Sequence, residues 1–290
     1  YNKSYSSPFM TMYEKLREAA YEKHTYKHTT MGFIKDILDM PNQYEYSIKF
    51  FDRWYRPENC VVVIVGDFDQ TKLIDLAKKY YSNWKHGNYT LQVPVEPPQK
   101  KEKVINMTWK SKTLPMLAIG YHGAAFSTTD IDMPTLDIIS QLTFSQTSPL
   151  YSKLVIDKQW VEFVEGGQED SRDAGLFSIW TRIKDSKNIE PVRNEIYSAL
   201  EDIKNNPVSA EKLSTIKSYL KYSFAMSLDN ADAVAGRISH YIELTGDPQS
   251  VNQVYSLYDK VTPDDIVRVA KKYFTQENRT VVNLVEEGSK

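Results

Sequence analysis

The stretch FFDRWYRPENCVVVIVGDFD, Phe50 to Asp69, decides the fold. Its first residues have the aromatic spacing of a helix end, and Arg56-Pro57 breaks that helix. Cys60 to Val65 then supplies six apolar residues with no alternation. A short, β-branched run bounded by a proline and a glycine predicts a strand buried on both faces. Gly66-Asp67 closes the strand, and Asp67 or Asp69 is placed to cap a helix starting near Gln70. Helix, turn, central strand, turn and helix make up the unit from which α/β sandwich domains are built. Cys60 is the only cysteine of the chain. It has no partner for an internal disulfide and, at the head of a central strand, is expected to be buried and inert.

The unit recurs near the C-terminus, in KKYFTQENRTVVNLV, Lys271 to Val285. Laying Asn59 on Asn278 also lays Glu58 on Glu277, Trp54 on Tyr273, Tyr55 on Phe274 and Val62-Val63 on Val281-Val282. The offset is 278 − 59 = 219 residues, one large domain's worth, which points to internal duplication. The Asn of each copy is expected to secure its helix-to-strand turn through backbone hydrogen bonds. Between the copies, Pro94 to Lys103 (PVEPPQKKEK) combines three prolines with a charge run, the composition of a linker. The expected organisation is therefore residues 1–93, a linker at 94–103, and a second domain at 104–290. The second copy has 278 − 104 = 174 residues ahead of its Asn, the first only 59 − 1 = 58. On this count the first domain is expected to lack 174 − 58 = 116 residues at its front.

At 290 residues and 41% apolar content the chain can build packed cores, and 12% aromatic residues argue against disorder. A formal net charge of −2 gives no electrostatic reason to expect nucleic acid or an anionic membrane as partner. No stretch has the length of a membrane span. The compartment is left open.

Along the chain, Ser7-Pro8 opens a helix with Met12, Leu16, Ala19 and Ala20 on one side, and a second helix carries Tyr46, Phe50 and Trp54. Val104 to Trp109 and Met116 to Tyr121 read as strands. Asp132 or a residue near it is expected to cap a helix with Pro134 in its first turn and Leu136, Ile139 and Leu142 inward. Val161 to Val164 and Leu176 to Ile183 read as antiparallel strands around Gly166-Gly167. Helices follow from Pro191 to about Ile203, from Ser209 with Leu213, Ile216, Leu220 and Phe224 as its stripe, and up to the C-cap Gly246. Thr262-Pro263-Asp264-Asp265 opens the last helix with a cap, a first-turn proline and two acids against the dipole.

The Phe50–Asp69 run resembles a signature segment of the pitrilysin/insulinase family, zinc metallopeptidases with an inverted His-x-x-Glu-His motif. The Tyr-x-Pro-x-Asn…Gly-Asp pattern carries the resemblance. The region around Met12 to Gly32, the proline-rich linker, the Ser145–Leu154 loop and the Thr262–Val285 ending extend it over the whole chain. It implies an α+β fold of two homologous α/β sandwich domains, each an antiparallel-rich sheet backed by helices, the first incomplete at its N-terminus. As function it implies a zinc-dependent endopeptidase that encloses a peptide between two halves. The alternative is a non-catalytic scaffold or assembly subunit of the same fold.

The family's zinc chemistry needs His and Glu ligands and a Glu base, and His-x-x-Glu-His does not occur in these 290 residues. No catalytic and no metal-binding residue is therefore assigned here, and the substrate-binding residues stay unknown. Zinc is expected in the intact parent, carried by a segment ahead of Tyr1. The family also places an Arg and a Tyr seven apart to steady the substrate carbonyl. Anchored on Lys158-Gln159, those positions fall on Ile156 and Phe163, so the pair is missing. The expected partners are a peptide substrate together with the missing N-terminal segment, a homodimer mate or a second subunit carrying the Arg/Tyr pair. His24 and His28 stand four apart but in a segment too poor in helix formers to present both imidazoles on one face, and read as loop histidines. His122 stands alone. Arg237, His240 and Tyr241 share a helix face suited to a hydrogen-bonded cluster. Asp130, Asp132 and Asp137 read as caps and solvated face.

Overall fold

In the computed structural model, which describes residues 1–288, the second copy forms a five-stranded sheet. Its strands are β1 (Lys103–Trp109), β2 (Met116–His122), β3 (Val161–Gln168), β4 (Leu176–Ile183) and β5 (Arg279–Glu286), in the spatial order β1-β5-β2-β4-β3. β1 and β5 run parallel and the other pairs antiparallel. The longer helices are α1 (Pro8–Ala20), α2 (Tyr44–Trp54), α3 (Gln70–Tyr81), α4 (Asp132–Phe144) and α5 (Ile189–Asn205), then α6 (Ala210–Met226), α7 (Ala231–Thr245), α8 (Ser250–Lys260) and α9 (Pro263–Tyr273), with short helical turns at Asn2–Tyr5, Ile34–Asp39 and Pro149–Tyr151. The architecture is α+β, as the sequence predicts.

Alternation along β2 and β5 divides the core between the two faces of the sheet. Leu117, Ile119, Tyr121 and Val281 point to the side covered by α4, α5 and α9, where Leu136, Ile139, Val192, Ile196, Ile266 and Val269 are fully buried. Gly166 of β3 is where the Phe144 ring of α4 comes closest; a Cβ there would lie 2.6 Å from it. The other side is covered by α1, which the chain order assigns to the first copy. Met12, Leu16, Ala20 and Tyr21 pack there against Met116, Ala118, Leu176, Val282 and Leu284.

The helix and the Asn turn that ends it occur twice with the same geometry. α2 and α9 match at both ends with the 219-residue offset. Asn59 Nδ2 donates to the Trp54 carbonyl at 2.9 Å, and Asn278 Nδ2 to the Tyr273 carbonyl at 2.7 Å. Thr262 and Asp265 form a full capping box on α9, and Asp69 caps α3 through Lys72 N.

Four expectations need correction. Cys60 to Val65 is not a buried strand: Cys60 is exposed, and Val61 and Val62 are 64% and 60% exposed. Cys60 has an extended backbone, φ −128° and ψ 139°. Among the described residues, however, no strand lies beside the run to take its hydrogen bonds. Asp132 does not cap α4; it is the helix's first residue and is buried beneath Arg268, Lys272 and Tyr273. Asp137 is not on a solvated face, because its carboxylate accepts from Tyr258. Gly166-Gly167 lies within β3 and not in the connection to β4.

Candidate functional site: the junction between the copies

The polar groups of greatest structural consequence gather where α1 ends and the linker passes over it. After Ala20 the chain turns, and the N–H groups of Glu22, Lys23 and His24 point the same way. The Glu96 carboxylate of the linker accepts from all three, at 2.6, 2.8 and 2.8 Å. Successive N–H groups of this kind form a concave anion site, filled here by the protein's own side chain. Although desolvation acts in the opposite sense, these three donors hold the Glu96 carboxyl below its ordinary range.

The end of α1 is closed from the second copy. Lys103 Nζ donates to the Ala19 carbonyl at 2.7 Å, and His122 Nε2 to that of Ala20 at 3.1 Å, satisfying carbonyls that a helix C-terminus leaves open. Burial pushes the His122 imidazole down, and the neutral ring suits a donor whose second nitrogen carries no proton. Tyr21 donates to the Ala174 carbonyl, while Arg17 donates to the Tyr26 carbonyl and lies 3.4 Å from Glu169. His24 is buried and caps the short turn Thr25–Lys27, its Nδ1 accepting from Tyr26 N at 3.0 Å. Its Nε2 faces the Asp173 carboxylate at 3.4 Å. Together these groups make a structural joint; none is poised to attack a substrate.

His24 and His28 are each engaged with nearby backbone. With Nδ1 of His24 engaged by a backbone N–H and Nδ1 of His28 set 2.9 Å from the Thr29 carbonyl, each ring serves its local turn. Among the described residues, no group of three His, Cys, Asp or Glu side chains is arranged to hold a metal ion. The residues present do not fit the family's zinc site.

Of the two residues that the resemblance aligns with the Arg/Tyr pair, Ile156 is 59% exposed on the helical turn Ser152–Asp157, and Phe163 lies half-buried on β3. Neither side chain has a donor to offer a carbonyl.

A second cluster joins α4, α7, α8 and the β3–β4 connection. Tyr258 donates to Asp137 at 2.5 Å, and His240 Nε2 lies 3.2 Å from Asp170. Desolvation pushes the Asp137 carboxyl up to about 7; the Tyr258 hydrogen bond works against that rise and the charge of Asp170 adds to it. His240 and Tyr241 take part in this cluster, whereas Arg237 stacks over Phe224. Sequence reasoning missed Asp137 and Glu96. The former had a signal, an Asp among apolar residues on a helix; the latter sits in a charge run that reads as solvated.

A model of the "Peptidase M16 inactive domain" matches residues 43–220. The chain belongs to the M16 peptidase family. It is 27% identical over 283 residues to the zinc protease PqqE of Helicobacter pylori, covering 96% of this chain and 63% of that protein. It is 24% identical over 276 residues to the mitochondrial-processing peptidase subunit beta of Saccharomyces cerevisiae, covering 88% and 58%. A crystal structure of a protease from Helicobacter pylori superposes with a TM-score of 0.87 at 26% identity, covering 97% of this chain and 68% of that one. The chain thus spans less than two thirds of the length of these two sequence relatives. No helix of the described residues is long and apolar enough to cross a membrane.

Proposed function

We propose that this chain is the part of an M16 zinc endopeptidase that encloses the peptide substrate without binding the zinc. The carrying observation is a family member in which no three His, Cys, Asp or Glu side chains of the described residues are grouped to hold a metal ion, while the helix and Asn turn of the repeat are present twice. Residues 1–93 supply the rear of the first domain, and residues 104–290, joined by the 94–103 linker, supply the second domain as one wall of the chamber. The zinc ligands and the general base come from polypeptide outside these 290 residues. With Ile156 and Phe163 unable to steady a substrate carbonyl, that task falls to a second half or subunit carrying the Arg/Tyr pair.

The test is hydrolysis of a fluorogenic unfolded peptide together with zinc stoichiometry, measured on this chain and on a chain extended at its N-terminus to the relatives' length. The reading predicts zinc and activity in the extended chain, with neither in the 290-residue chain. Stoichiometric zinc at His24 and His28 with turnover in the short chain would overturn it.

A further inference from the structure

Where α4 ends and α6 begins, the second domain encloses a cavity of about 550 Å³, the size at which proteins hold small molecules. Leu142, Leu150, Ile203, Val208 and Ile266 give it apolar walls. Two polar side chains of its lining lack an internal partner. The first is Thr143, in the last turn of α4, which is 4% exposed and whose Oγ1 has no hydrogen-bond partner among the described residues. Thr135, two turns earlier on the same helix, donates its hydroxyl to the Ile131 carbonyl at 2.6 Å. A buried hydroxyl left without such a bond is the exception in folded proteins.

The second is Lys212. The other charged groups of the lining are engaged: Lys153 pairs with Glu195 at 2.6 Å, and Asp202, exposed, accepts from Asn206 at 2.5 Å. The ammonium of Lys212 makes no ion pair among the described residues, and the residue is exposed. It stands in the first turn of α6, where its backbone N–H donates to the cap Ser209 and where the helix dipole favours an anion over a cation. An unpaired lysine beside the open N–H groups of a helix start is arranged for an anion from outside the chain.

We propose that this cavity binds a small amphiphilic carboxylate. Its carboxylate meets Lys212 and the start of α6 at the rim, and its apolar body lies along Leu142, Leu150 and Ile266. Its inner end carries a hydroxyl or carbonyl for Thr143 Oγ1, which can donate or accept. A fully apolar acid leaves Thr143 unpaired, and a neutral analogue forfeits Lys212. The site belongs to the second domain alone and needs neither zinc nor turnover, so it goes beyond the proposed function.

Isothermal titration calorimetry on the 290-residue chain would compare 10-hydroxydecanoate with decanoate and with the methyl ester of 10-hydroxydecanoate. The hydroxy acid is expected to bind at one site, about tenfold more tightly than either of the others. Thr143→Val, close in shape and apolar, should abolish the preference for the hydroxy acid over decanoate. Lys212→Gln should abolish its preference over the ester, and Lys110→Gln, at an exposed position outside the lining, should change neither. Urea midpoints check that each variant is folded, and Lys212, being exposed, keeps the test decisive where Thr143→Val does not fold. Lack of saturable binding, equal affinities for the three ligands, or preferences that survive the substitutions would each overturn the proposal. Uptake of several equivalents without dependence on Lys212 would mark adsorption to exposed apolar surface and overturn it equally. Peptidase activity is no part of this readout: an inactive N-terminally extended chain would sink the proposed function and leave the carboxylate site standing.

Discussion

Residues 60–67 and 279–286 are the same position of the repeat in two surroundings, a strand only in the second. In the second, β5 has a neighbour on each edge and a helix layer on each face, and Val281, Val282 and Leu284 are completely buried. In the first, a run at least as apolar has no strand beside it among the described residues and only partial cover, and Val61 and Val62 stay more than half exposed. The difference teaches that β-propensity and apolarity are permissive. A strand exists where its backbone N–H and C=O groups find partners, and side-chain burial follows from that pairing.

The largest test of this contrast is a pair of identical substitutions. Val282→Asp places an unpaired charge in a sealed core and should cost more than about 4 kcal/mol, enough to unfold the second domain in urea at 25 °C. Val63→Asp, its counterpart, should move the midpoint by less than about 0.5 kcal/mol. Equal losses would break the comparison.

Next in size is Asp137, a weakness peculiar to the completed core. The folded carboxyl keeps its proton up to about 7, while an unfolded one loses it near 3.8. The native state therefore holds more protons in that window, and stability must fall as pH rises from about 4 to 7. Asp137→Asn keeps an acceptor for Tyr258 and removes the charge. It should leave stability unchanged at pH 4 and raise it at pH 8 by up to about 4 kcal/mol. A pH-independent effect would mean that the carboxyl is hydrated.

The paired asparagines come third. Asn278→Ala loses two backbone partners in a partly buried turn and should cost about 1–2 kcal/mol. Asn59→Ala loses one in an exposed turn and should cost under about 0.5 kcal/mol. Smallest is the linker. Glu96→Gln surrenders a charge-assisted contact worth about 1 kcal/mol. The folded pKa of Glu96 is depressed, so that contribution is present above the ordinary value of 4.5 and lost as pH falls through the folded one. Thermal melts at pH 7 and pH 3 would separate the two conditions.

Much of this architecture is legible in the residues. Thr262-Pro263-Asp264-Asp265, Ser209 and Gly246 mark helix ends through local hydrogen bonds or backbone freedom, which short sequence windows contain. The Asn turn is visible twice, and the match of α2 to α9 follows from it. What escapes the sequence is long-range. Met12, Leu16 and Ala20 announce an apolar helix face, but nothing in their spacing says that it crosses to the other copy's sheet. Cys60 to Val65 reads as buried because its cover cannot be inferred from within the run. α8 is passed over because Gln249 offers no side-chain cap, although Val254, Leu257 and Tyr258 have helical spacing. At the candidate site, His24 and His28 are rightly read as loop residues, whereas Glu96 takes its role from three N–H groups more than seventy positions away.

The crossing of α1 separates covalent order from mechanical attachment. Met12, Leu16, Ala20 and Tyr21 are sealed against the second sheet, Lys103 and His122 grip the helix end, and Glu96 clasps the turn after it. A protease that cut the connection between His28 and Gln43 would therefore not release the N-terminal peptide. It would leave a two-piece molecule in which residues 1–27 behave as a tightly held ligand of residues 94–288, copurifying through gel filtration and parting only when the second domain itself unfolds.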